Sequence, residues 1–341
     1  MQSVSPSRIF FVCLFAAVAA LSTYAQSSHK RHTQPEPVAV LDPLAQANQC
    51  LQAGEADKAL ALLVPDSLPP ANLAEEHNLR CRVYFTLEHW DEAVGECEQA
   101  AKLASDVSDN HMWLGRALGE KADRASFLNA YSLAKRARAE FERAVQLNPR
   151  NAEALADLGE FYSSAPGVVG GGTDKANAIA AQLDKVDPAR AHELRARIAA
   201  GQKDFTTAER EFRQAISASI HPAFQWMTLA SFFRGRQRWD EMEAAIHTGV
   251  SAAERDRHSA VALYNGASVL TRANRDPALA AKMLENYLAS PLKTEEAPAF
   301  VAYTRLARIK DQLGDHDGAL QNRASAYELA REYKPAQEAK H

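Results

Sequence analysis

Beyond residue 37 the apolar positions of this chain recur with helical spacing, and the helical segments come in pairs. No stretch alternates apolar and polar residues as a half-buried strand does. The segments "GEADKALALL", "HWDEAVGEC", "RARAEFERAV" and "DKANAIAAQL" each carry one alanine at a comparable place: Ala59, Ala93, Ala137 and Ala176. The series continues through Ala208, Met242, Ala280 and Ala319, with successive spacings of 34, 44, 39, 32, 34, 38 and 39 residues. A period near 34 with additions predicts an array of two-helix units, each of which buries its apolar face only by stacking on its neighbours.

The helix preceding each marker supplies a small residue: Ala47, Cys81, Gly115, Gly159, Ala196, Ala230, Ser268 and Ala307. Packed helices whose axes approach closely admit little beyond a methyl or thiol at the crossing. Further matches are Trp113-Leu114-Gly115, "LGEFY" from Leu158 to Tyr162, Trp226 with Leu229 and Ala230, and Ala144 with the helix-ending Pro149. In these positions the chain resembles the tetratricopeptide repeat (TPR) family over about residues 38–333, with departures at Met242, Tyr287 and Arg323. The unit marked by Ala208 also departs, because its first helix reads as short and poor in large apolar residues. The resemblance implies an all-α fold, a right-handed solenoid of about eight helical hairpins. Gly115, Ala137, Gly159, Ala176, Ala208, Ala230 and Ala319 would be structural repeat positions, and residues 334–341 a tail.

Two adjacent units are enlarged. Gly115 to Ala137 spans 22 residues and Gly159 to Ala176 spans 17, against 12 in a regular unit. Enlarged turns are therefore expected near 119–135 and 163–173, as neighbours along one edge. The second helix of the larger unit should start early and overhang by about 15 Å, at roughly 1.5 Å per residue. Some of Phe127, Leu128 and Tyr131 should then cover the second loop, and any left exposed would form an apolar patch.

That second loop, "SSAPGVVGGGTDKAN", raises the question of a phosphate cradle. Such a cradle needs Lys and Ser or Thr directly after its last glycine and a strand before the loop. Here Gly172 is followed by Thr173-Asp174-Lys175 and the preceding element is helical. The glycines also lack the spacing of a dinucleotide fingerprint. As a plain turn the residues account for themselves: Pro166 ends one helix, the glycines reach positive φ, and Thr173 stands where a helix N-cap would. A similar stretch occurs in exported bacterial TPR proteins, a further resemblance that implies a subfamily without an activity.

The first 37 residues read differently. Arg8 precedes an uncharged run from Ile9 to Leu21 and then Ser22-Thr23-Tyr24-Ala25, the layout of a signal peptide over 1–25. The run is shorter than the roughly 20 apolar residues of a membrane span, so membrane contact is expected only transiently, through this peptide. Cys13 lacks the small preceding residues of a lipoprotein signal. Residues 26–37 are polar and expected to form a flexible leader. The expectation is an exported protein, periplasmic or extracellular, beginning near Gln26.

Composition excludes little. Of 341 residues 46% are apolar, and the formal net charge of −4 supplies no global field for nucleic acid. No nucleophile elbow, zinc-protease motif or acid pair stands out, so no catalytic, cofactor-binding or metal residues are assigned. His29 with His32, and His77 with Cys81, lack further ligands at a matching spacing. Cys81 and Cys97 occupy facing inner positions of one hairpin, as a disulfide or as two buried thiols. Arg82, Arg116, Arg197 and Arg308 fall at equivalent inward positions, with Glu160 and Ser231 in two others.

The leading expectation is a non-enzymatic scaffold with a protein or peptide partner. It would be held either in the groove, by Arg82 and Arg116, or at the enlarged edge, by Phe127, Tyr131, Val168 and Val169. The competing readings are an enzyme or anion-binding protein using residues 166–173, and a subunit whose repeats serve homo-oligomerisation.

Overall fold

The computed structural model describes residues 42–64 and 69–337. The expected signal peptide, the leader and residues 338–341 of the tail lie outside the described residues. Among those described, helices pair into eight hairpins and no strand occurs. The first four are α1 (Pro43–Ala53) with α2 (Ala56–Leu62), α3 (Leu73–Thr86) with α4 (Trp90–Leu103), α5 (Ser108–Asp123) with α6 (Phe127–Leu147), and α7 (Ala152–Ser164) with α8 (Thr173–Leu183). Then come α9 (Pro188–Gly201) with α10 (Phe205–Ala218), α11 (Pro222–Gly235) with α12 (Trp239–Glu254), α13 (Ala260–Ala273) with α14 (Pro277–Ala289), and α15 (Ala299–Gln312) with α16 (His316–Leu329). A one-turn α17 (Lys334–Gln337) follows, with Ala336 buried. The unit marked by Ala208 has a first helix, α9, of full length at 14 residues, in which Leu194 and Ile198 are buried.

Local chemistry sets the helix starts. Asn151, Asp187, Asp204, Asp276 and Asp315 each accept a hydrogen bond from a backbone N–H in the first turn of the following helix. Proline opens α9, α11 and α14, where its missing N–H costs nothing. Thr173, expected as the N-cap of α8, is instead its first residue, and the helix follows Gly172 without a side-chain cap.

The second-helix markers Ala59, Ala93, Ala137, Ala176, Ala208, Met242, Ala280 and Ala319 are all fully buried. A Cβ on Gly115 would come within 2.6 Å of the Phe141 ring, and one on Gly159 within 2.4 Å of Leu194. Cys81 is bonded to Cys97, with Cα atoms 5.2 Å apart. The pair occupies the register places held by Gly115 and Phe141 in the next hairpin, so a covalent link replaces a small-on-large packing contact.

One register differs from expectation. In six hairpins the seventh residue after the small one takes the left-handed conformation: Gly54, Glu88, Lys203, Gln237, Asn274 and Gly314. Counting back from Asn274 reaches Ala267, which is buried, whereas Ser268 is half-buried and donates to the Tyr264 carbonyl at 2.9 Å. Ala267, not Ser268, is the crossing residue of α13. The α13–α14 turn carries one extra left-handed residue, Asp276, which displaces a count made back from Ala280.

The enlargement of the third hairpin is also built differently from a long turn. Only residues 124–126 connect α5 and α6, and the added residues lengthen helices, giving α6 21 residues where 14 is common here. The fourth hairpin keeps a real loop, with a short 3₁₀ turn at Gly167–Val169. Gly170 there has φ 99°, and a Cβ would strike the Arg138 guanidinium of α6, whose Nη1 donates to the Val169 carbonyl at 3.2 Å. The two enlarged units do meet along one edge.

The array closes on itself, which the periodicity did not predict. Phe300 of α15 and Ala326 of α16 share one buried cluster with Leu44, Ala47 and Leu51 of α1. The Gly54 turn lies against the start of α15, where a Cβ would come within 2.3 Å of the Ala299 nitrogen. Asp57 accepts from the Arg331 backbone N–H at 3.1 Å. The last hairpin thus packs on the first, and the odd-numbered helices line an inner face.

Candidate functional site: the inner face and the extended edge

On the inner face, the residue after each crossing position points the same way round the array. Arg82 and Arg116 hold two of these places, and neither is free. Arg82 donates from Nε to Glu295 Oε2 at 2.9 Å and from Nη2 to Glu295 Oε1 at 2.5 Å, a two-point guanidinium–carboxylate pair. Asn48 accepts a third bond from Arg82 at 3.2 Å. Gln52 completes the arrangement: its Nε2 donates to Glu295 Oε1 at 3.0 Å while its Oε1 accepts from the Glu295 backbone N–H at 3.2 Å. Arg116 donates to Asp157 at 2.6 Å and to Glu153 at 3.1 Å. Trp113 lies between the two arginines, with guanidinium carbons 5.5 and 4.6 Å from its ring centre.

Glu295 belongs to the α14–α15 connection, residues 290–298, which crosses the inner face. The connection is held by Tyr287 Oη, which donates to the Ala297 carbonyl at 2.5 Å, and by Lys293 Nζ, which donates to the Ser290 carbonyl at 2.7 Å. Sequence reasoning did not single it out. Its available signals were the long spacing from Ala280 to Ala319 and the paired acids of "KTEEAP". The neighbouring Glu296 reaches water yet is ringed by protein, and that enclosure pushes its carboxyl above the usual range. Glu153 adds to the shift, while Arg116 and Arg190 oppose it. Burial likewise raises the Asp157 carboxyl despite the Arg116 guanidinium beside it.

Further round, the balance changes. Arg197 is paired with Glu193 at 2.7 Å. Among the described residues Arg305 hydrogen-bonds only the neutral Ser268 hydroxyl, with its guanidinium 4.4 Å from the Tyr264 ring centre. Arg272 and Arg308 are exposed and form no ion pair among the described residues.

The glycine loop spends its own amides. The N–H of Val169 donates to Pro166 O at 3.0 Å, Gly170 to Gly167 O at 2.9 Å, Gly171 to Pro166 O at 3.2 Å and Gly172 to Tyr162 O at 2.8 Å. Lys175 Nζ turns back to the Gly170 carbonyl at 3.0 Å. None of these four N–H groups remains to cradle a phosphate, in contrast to an anion-binding nest, whose N–H groups converge on the ligand. His77 Nδ1 donates to Glu96 Oε2 at 2.6 Å and Cys81 is in the disulfide, so that pair offers no metal a joint site.

The edge residues divide. Phe127, Leu128 and Tyr131 are 86%, 79% and 39% exposed, and Val168 is 71% exposed. Val169, expected to face a partner, is 7% exposed and packs beneath the loop. Phe127 does not cover that loop. It lies eleven residues ahead of Arg138, about 16 Å along the helix at roughly 1.5 Å per residue, so the first turn of α6 is remote from the loop.

No family model matches this chain, and no curated protein matches it. Among solved structures it is similar to a thermophilic TPR protein of Thermus thermophilus, with a TM-score of 0.47 and 18% identity over 56% of this chain and 97% of that one. It is also similar to MamA, with a TM-score of 0.33 and 14% identity over 50% of this chain and 93% of that one. The stacked hairpins, with a small crossing residue and a left-handed turn in register, define the class by themselves: a TPR-like helical solenoid.

Proposed function

We propose that this chain is a non-enzymatic, exported scaffold that presents the projecting start of α6 to a protein partner. The observation that carries the reading is the exposure of the adjacent Phe127 and Leu128 side chains at the first turn of α6. Contiguous exposed apolar side chains on an otherwise well-packed protein mark interaction sites. The groove alternative is less favoured, because Arg82 and Arg116 already meet carboxylates of the chain itself. The glycine-loop alternative is less favoured because four of the loop's amides, those of Val169 to Gly172, already meet carbonyls of the chain.

Export draws support from two independent features. One is the Arg8, Ile9 to Leu21, Ala25 layout. The other is the Cys81–Cys97 disulfide, a bond that persists in oxidising compartments.

The test is co-purification from an envelope extract with wild type, Phe127→Asp/Leu128→Asp and Arg82→Ala/Arg116→Ala. A stoichiometric partner lost only in the first variant supports the edge. Loss only in the second moves the site to the groove. Self-association without a second protein favours the homo-oligomer reading. N-terminal sequencing should begin at or near Gln26, and intact Met1 in the soluble cytosol contradicts export.

A further inference from the structure

Where α9, α11, α13 and α15 converge, the inner face holds a cavity of about 570 Å³. That volume falls in the range of small-molecule sites, roughly 300–1,000 Å³. Its apolar lining includes Phe224 and Met227, and its charged lining consists of Arg197, Arg272, Arg305 and one carboxylate, Glu296. Arg197 is offset by Glu193. Arg272 and Arg305 are not offset, since neither forms an ion pair among the described residues.

We infer that this cavity binds a small organic anion with an apolar body. Each guanidinium carries five N–H donors in a planar fork suited to carboxylate, sulfonate or phosphate oxygens. Among the described residues Arg305 uses its fork on a single hydroxyl, and its guanidinium lies over the Tyr264 ring. A bare inorganic anion would leave the apolar lining wet, and a neutral aromatic would leave both cations without a counter-charge. The ligand class that satisfies both surfaces carries the two features in one molecule. Glu296 borders the cavity and sets a limit on the negative charge it accepts.

The probe is naphthalene-1-sulfonate, titrated calorimetrically into the full chain beside inorganic sulfate and 1-naphthalenemethanol. One sulfonate per chain is expected, with both comparators at least tenfold weaker. Arg272→Gln/Arg305→Gln should weaken the sulfonate about tenfold or more, as expected for lost hydrogen bonds to a charged group. Arg272→Gln alone breaks no internal bond, so it tests the site without risk to folding and should weaken binding severalfold. Glu296→Gln should strengthen it. Equal binding of sulfate overturns the role of the apolar lining, and equal binding of the alcohol overturns the role of charge. Unchanged affinity in Arg272→Gln with an unchanged melting temperature overturns the site, as does a short acidic peptide that binds more tightly than the sulfonate. The edge variant Phe127→Asp/Leu128→Asp should bind the sulfonate normally, so this inference and the proposed function fail separately.

Discussion

Arg82 and Arg116, on α3 and α5, and Arg272 and Arg305, on α13 and α15, all face the interior of one array. In the first pair, each guanidinium meets a carboxylate of the chain within 2.6 Å. In the second pair, neither meets one among the described residues. The same residue type therefore does two jobs on one surface. On α3, Arg82 closes the structure, because Glu295 arrives from the far end of the chain, whereas on α5 Arg116 ties its hairpin to the next through Asp157 and Glu153. Around α13 and α15 arginine leaves donors facing a cavity. A cation's position in a repeat predicts the direction it faces. Whether it is available depends on what the rest of the chain brings to it.

The comparison can be broken at four points. The largest effect should come from Cys81→Ser/Cys97→Ser, which removes the covalent link beside the arginine-matched region. For a loop of this length the chain-entropy estimate is about 3 kcal/mol, read as a lower urea midpoint. The same treatment should leave arylsulfonate binding at the far cavity intact once the chain is folded.

Next is Arg82→Ala. It strips a half-buried Glu295 carboxylate of its two-point partner and should cost about 2 kcal/mol, the range for hydrogen bonds to charged groups. Hydrogen exchange should then rise in α1, α15 and α16, the elements that closure holds together. Unchanged exchange there would mean that apolar packing around Phe300 alone closes the array.

Glu296→Gln has a smaller effect with a diagnostic pH dependence. Because enclosure raises this carboxyl in the folded state, the protonated form is the one that folding favours. Its favourable contribution is complete below the unfolded value of about 4.3 and is lost as pH rises through the raised folded value. At pH 7 the glutamine variant should therefore melt above wild type. Near pH 4 the two should converge, and a difference that grows on acidification would contradict the assignment. Smallest of all is Arg272→Ala, an exposed side chain with no internal bond among the described residues, which should stay within about 0.5 kcal/mol of wild type. A loss comparable to that of Arg82→Ala would erase the distinction between the two regions.

Much of the fold was legible because its determinants are local. Alanine and glycine at a close crossing, aspartate before a helix and proline at its first residue act through neighbours within one hairpin, so a period near 34 residues exposes them. The one slip in register came from Asp276, where an extra turn residue is invisible to a count made from one side only. The added residues of the enlarged hairpin lengthened helices and did not form a long turn, since nothing between Gly119 and Asp123 or from Phe127 onward breaks helical periodicity.

The candidate sites were legible only in part. Phe127 and Leu128 are exposed as an overhang requires, whereas Val168 and Val169 are adjacent in the chain and opposite in fate, one outside the 3₁₀ turn and one beneath it. Arg82 and Arg116 were identified by position but their carboxylate partners were not, and Arg272 and Arg305, which lie off the register of the crossing residues, were not singled out.

The sequence by itself determined the class of repeat, the count of hairpins, the facing placement of Cys81 and Cys97, and which helices line the inner face. All of these follow from interactions between residues fewer than about two repeats apart. Only the tertiary structure decided that the array closes, that Glu295 reaches Arg82 across 213 positions of chain, and that Arg272 and Arg305 form no ion pair among the described residues. Those outcomes depend on small angular increments accumulated over eight hairpins. No single repeat encodes them, because each repeat contacts only its neighbours until the last one meets the first.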